Sequence, residues 1–116
     1  MAPRKALEFV EVLITAGSVR EARRIARHLV ERRLAACVNL HPAESVYRWK
    51  GKVEEAREVL LAVKTTRAGY PALEAEVRRL HSYETPCILA LPVAAGSAPY
   101  LRWVRDSTRR RPRRAR

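Results

Sequence analysis

Residues 45–66, SVYRWKGKVEEAREVLLAVKTT, decide the fold. Val46, Tyr47 and Trp49 precede the Lys50-Gly51 pair, and Val59, Leu60, Leu61, Ala62 and Val63 follow it. The stretch reads as two strands around a tight hairpin turn in which Gly51 takes a positive φ. A two-residue loop there also sets a register. Trp49 faces Lys52, and Tyr47 faces Glu54 across the ladder.

Working outward toward the N-terminus, LAACVNL (34–40) reads as a strand, and the His41-Pro42 interruption fits a bulge or an edge position. LEFVEVLIT (7–15), rich in branched and aromatic residues and too short for a helix, is the first strand. Between them GSVREARRIARHLVERR opens with Ser18, followed by Glu21 at capping-box spacing. Val19, Ala22, Ile25, Ala26, Leu29 and Val30 recur at helical intervals, leaving Arg20, Arg23, Arg24 and Arg27 on a solvated face. Toward the C-terminus, Pro71 opens a second helix with Leu73, Val77 and Leu80 on one side. CILALPV (87–93) is the last strand, and SAPYLRWVRD (97–106) a short final helix capped by Ser97.

The order β-α-β-β-α-β plus a terminal helix gives an α+β, ferredoxin-like βαββαβ antiparallel sheet with both main helices on one face. One sheet face is then bare, yet the strands are apolar on both sides. Val10, Val12 and Ile14 alternate with Phe9 and Leu13, and Val59, Leu61 and Val63 with Leu60 and Ala62. The sequence offers no spare helix for that face, so the expectation is a homo-oligomer that packs the bare faces together. Cys37 and Cys87 belong to strands on opposite edges, about 14 Å apart across three inter-strand spacings. A disulfide needs Cα atoms within about 7 Å, so two reduced thiols are expected.

At 116 residues the chain is one domain, expected to span residues 1–107, with a basic, disordered tail at 108–116. Residues 105–116 carry seven Arg against one Asp, which places half of the net +12 in a tenth of the chain. No apolar stretch approaches a membrane span, and MAPRKALEF lacks the apolar region of a signal peptide, so a soluble, cytoplasmic protein with no membrane partner is expected. One Asn, no Gln and one Met suit a heat-adapted, thermostable protein.

RLAACVNL, VYRWKGKVEEAREVLLAVKT, LHSYETP and ALPV…YLRWV, in this order and spacing, resemble the CutA family, named for divalent-cation tolerance. The resemblance covers residues 8 to about 107. It implies a homotrimer joined at its sheet edges, a role in tolerance of divalent metals such as copper, and a ligand site in clefts between subunits. Ligand sensing follows by analogy with trimeric nitrogen-signalling proteins of the same fold. The family's recurring polar residues fall on Cys37, Trp49, Lys52, Lys64, His81, Tyr83, Glu84 and Pro86.

Each of these has a plainer reading. Cys37 fits a small buried hydrophobe, Trp49 interface packing, and His81 a cation at a helix C-terminus. Lys64, ending a central strand, must reach solvent or meet an acid such as Glu84. His81 and Glu84, three residues apart, share a side only if the helix continues that far. For copper, the resemblance leaves His81 and Cys37 as metal ligands, because Ile14 and Leu80 stand where metal-binding members have Cys and His. Ser82 replaces the common proline of the His-Pro-Tyr motif.

No P-loop, G-x-S-x-G, H-E-x-x-H or G-x-G-x-x-G is present, so the chain is not expected to be an enzyme. Acid-base work by Lys64, His81, Tyr83 and Glu84 on an unnamed substrate is one alternative. Nucleic-acid binding through the Arg-rich tail at 109–116 is the other, although no aromatic lies within the Arg run to stack on bases.

Overall fold

The computed structural model describes residues 7–109. Its elements are β1 (Phe9–Ala16), α1 (Val19–Glu31), β2 (Cys37–Trp49), β3 (Lys52–Thr66), α2 (Tyr70–Leu80), β4 (Ile88–Pro92) and α3 (Ala98–Ser107). Both β1 neighbours and the β2–β3 pair are antiparallel, and the four strands lie in the order β2-β3-β1-β4. The expected α+β sheet with its additional helix is present. All but two residues of the expected tail, Thr108 and Arg109, lie outside the described residues.

The hairpin has the expected register, with Trp49↔Lys52 and Tyr47↔Glu54. Lys50 (φ 51°) and Gly51 (φ 81°) are both left-handed, the two-residue loop whose twist matches right-twisted strands. Sequence reasoning assigned positive φ to the glycine alone. β2 begins at Cys37, three residues later than expected, and runs unbroken through Pro42, which pairs with Val59. An edge strand tolerates proline because the missing N–H can face away from the sheet.

Ser18 caps α1 by accepting from the Glu21 N–H at 3.1 Å. The Glu21 carboxylate goes elsewhere, so the box is half formed. Ala22, Ile25, Ala26 and Leu29 are buried, whereas Val19 and Val30 at the margins of the stripe stay exposed. The helix ends on a Schellman pair, Leu34 N–H to Leu29 O at 2.9 Å and Arg33 N–H to Val30 O at 3.1 Å, with Arg33 at φ 59° in the position glycine usually takes.

Val12, Ile14, Leu61, Val63, Ile25, Leu29, Leu73 and Val77 form the centre of the core between the sheet and α1/α2. The opposite face is not wholly bare, which corrects the expectation of no spare helix. α3 crosses one end of it, burying Phe9, Ala36 and Val104 with Val93 and Leu101 against them. A bidentate Arg105–Glu8 pair (2.9 and 3.2 Å) holds α3 there. Ser97 sits at its N-cap position, but its side chain makes no capping bond. The remainder of that face keeps Leu89 and Leu91 exposed and Leu13 and Leu60 partly so. Cys37 and Cys87 lie by opposite edges as free thiols.

Candidate functional site

Pro86 aside, the seven residues read as site candidates fall into three groups. The first forms where α2 stops. His81 takes extended backbone angles at the C-cap, and its side chain turns inward, fully buried. Its Nε2–H donates to the Thr15 carbonyl at 2.7 Å, while Nδ1 accepts the Tyr83 N–H at 3.0 Å. A carbonyl only accepts and an amide N–H only donates, so the two bonds together specify the tautomer and use both ring nitrogens. Tyr83 packs 4.7 Å from the His81 ring and donates its hydroxyl to Glu58 Oε2 at 2.9 Å. Burial, then the Glu58 bond, pushes the phenol up to about 12. Gly17 makes room for it, since a Cβ there would lie 3.0 Å from the Tyr83 oxygen.

Glu21 reaches across from α1 to accept from Ser82 N–H at 2.8 Å and Ser82 Oγ at 3.0 Å. Burial raises the Glu21 carboxyl, but the two Ser82 bonds outweigh it, and the group ends lowered. Ser82 thus has a structural meaning. Proline at this position would supply neither donor.

The second group lies on the opposite face beside α3. Cys37 and Lys64 are register partners there. Lys64 Nζ donates to Asn39 Oδ1 at 2.7 Å and sits 3.4 Å from Glu11 Oε2. Its acidic neighbour is Glu11 rather than the anticipated Glu84, because Glu11 is directly opposite it on β1. Cys37 Sγ lies 3.7 Å from Asn39 Oδ1. The Tyr100 hydroxyl stands beside the thiol, pushed up by burial first and then by Cys37.

The third group is the hairpin tip. Trp49 and Lys52 are paired there, Lys50 Nζ lies 5.5 Å over the Trp49 ring, and Lys50 also meets Glu84 at 3.8 Å. Glu84 is therefore exposed and tied to the tip, whereas His81 is buried. The two do not share a helix side, because α2 ends at Leu80.

Among the described residues no three of His, Cys, Asp and Glu gather as a metal would require. With both His81 nitrogens engaged, the donor set within one chain does not fit a copper ion. A broad hollow lined by Glu8, Arg67, Pro71 and Arg105, and a smaller one lined by Val10, Arg67, Tyr70 and Ala90, contain none of the seven residues. Sequence reasoning missed Glu58, Glu21, Glu11 and Asn39. Glu58 carried a readable signal: it shares the alternation of Leu60 and Ala62, so an acid was bound for a partly covered sheet face.

A family model described as CutA1 divalent ion tolerance protein matches residues 10–107. The divalent-cation tolerance protein CutA of Thermus thermophilus is 53% identical over 98 residues, 84% of this chain and 95% of that protein. Human protein CutA is 51% identical over 96 residues, 82% of this chain, which spans only 54% of the human protein. Among solved structures, the periplasmic divalent cation tolerance protein CutA from Archaeoglobus fulgidus superposes with a TM-score of 0.86 at 42% identity, covering 87% of this chain and 99% of that one. CutA1 from Oryza sativa gives 0.85 at 38% identity, with 89% and 95% covered.

Proposed function

Since this chain belongs to the CutA1 divalent ion tolerance family, we propose that it serves divalent-cation tolerance as a cytoplasmic, ligand-binding homotrimer. In this reading Cys37, Trp49, Lys52, Lys64, His81, Tyr83 and Glu84 line clefts completed by neighbouring subunits. The family is named for tolerance of ions and not for a reaction, which favours binding over catalysis.

The observation that carries the proposal is the surface one chain leaves open. β1 ends at Ala16, opposite Val59, so residues 43–49 and 52–58 pair only with each other and project as a two-stranded arm. That arm exposes Val46 (68%), Val53 (62%), Tyr47 and Trp49, and the sheet face beyond α3 adds Leu89 and Leu91. An isolated two-stranded hairpin is marginal in water, and apolar side chains exposed on both of its faces suit burial in an interface. A copper ion held by such an assembly would draw donors from more than one copy.

Mass measurement under native conditions tests the reading. A trimer is expected, and a monomer at micromolar concentration would sink it.

A further inference from the structure

Glu58 occupies an unusual position for an acid. It is 8% exposed, and the neutral Tyr83 hydroxyl donates to its Oε2. Among the described residues it takes part in none of the ion pairs that hold Glu8, Glu11, Glu76 and Glu84. A carboxylate withdrawn from water without a cation is costly. The neighbouring Cys87 thiol is pushed up by burial and then by Glu58 itself.

The register shows what lies outward from it. Glu58 opposes Ala43, Ala56 opposes Ser45, Glu54 opposes Tyr47, and Lys52 opposes Trp49, so these residues share one face of the arm. Small, half-buried Ala43, Ser45 and Ala56 make a low floor. Glu58, held by Tyr83, lies at the inner end of this face, and the exposed Tyr47 and Trp49, with Glu54 and Lys52 opposite them, at the outer one. Trp49 already carries a cation over its ring, the chain's own Lys50.

A metal ion needs several converging donors, which this trough does not have. An organic cation needs one carboxylate and aromatic rings, and this face carries both, Glu58 together with Tyr47 and Trp49. We propose that the trough binds an alkylammonium or guanidinium group, with Glu58 as counter-ion, the Tyr83 hydroxyl holding the carboxylate, and Tyr47 and Trp49 flanking the chain that carries the charge. This rests on the cleft reading above and gives its ligand a class and a charge. The cation comes either from a free small organic molecule or from a basic side chain of a second copy.

Calorimetric titration of n-butylguanidinium chloride into the full chain, beside native mass measurements over a dilution series, separates the sources. The wild type is expected to bind the probe, with affinity falling at least tenfold in Glu58→Gln and several-fold in Tyr83→Phe. If the probe does not bind but Glu58→Gln raises the half-dissociation concentration of the oligomer at least tenfold, the cation is supplied by a second copy. Wild-type affinity and wild-type assembly in both variants would overturn the proposal. Should Glu58→Gln fail to fold by circular dichroism, Tyr83→Phe alone decides by the same two readouts. A monomeric wild type that still binds the probe through Glu58 removes the trimer and leaves this inference standing.

Discussion

The body of the sheet and the arm are cut from the same two strands, yet they follow different rules. Where β3 runs beside β1, Leu61 and Val63 are fully buried under α1 and α2. A few residues earlier on the same strand, Val53 is 62% exposed and only β2 pairs with it. Val53 is as apolar as Val63, so the hydrophobicity of a residue alone does not say what will cover it. Coverage is decided by where β1 ends.

If the body stands alone, its stability should depend on its own packing. Leu61→Ala is expected to cost about 2–5 kcal/mol in urea unfolding, the range for a large buried side chain whose cavity cannot collapse. A cost below about 1 kcal/mol would show that the body is not the continuous core described. The arm should respond in the opposite way. Trp49→Ala is expected to change the unfolding of a single chain by no more than about 0.5 kcal/mol. In an assembly it should cost about 2 kcal/mol, roughly thirtyfold in the half-dissociation concentration measured by dilution. Equal effects on both quantities would erase the distinction between the regions.

A smaller test concerns how the body's two helices are tied together. Glu76 on α2 accepts from Arg79 at 2.6 Å and is joined to His28 of α1 at 2.9 Å, and these bonds, Arg79's first, lower its carboxyl to about 2. A depressed folded value stabilises fully above the ordinary carboxylate value of 4.5 and loses that contribution as pH falls from about 4.5 through 2. Glu76→Gln should flatten the acid limb of the stability curve in this window. An unchanged limb would mean that the helix tie contributes nothing.

The fold was legible because it depends on local and periodic signals. Lys50-Gly51 fixed the hairpin register, Ser18 the start of α1, and Pro71 the start of α2. What was not legible depends on strand ends and long-range pairing. Pairing of Lys64 with Glu11 requires knowing that β1 lies beside β3 in a given register, which no pattern around Lys64 reveals. For His81 the sequence offers a cleft or metal ligand or, more plainly, a cation at a helix C-terminus, whereas its buried partner, the Thr15 carbonyl, is 66 residues away. The role of α3 was missed because its buried contribution rests chiefly on Val104, too little apolar signal to mark a covering helix.

Pro42 bears on a hazard that every exposed β-edge presents. β2 is thirteen residues of outer strand, long enough to template stray chains into sheets and eventually fibrils. A proline near its middle, with no N–H to offer, interrupts that template. Any strand laid along this edge must break register there, so orderly partners meet two short edges and disorderly ones find no long one.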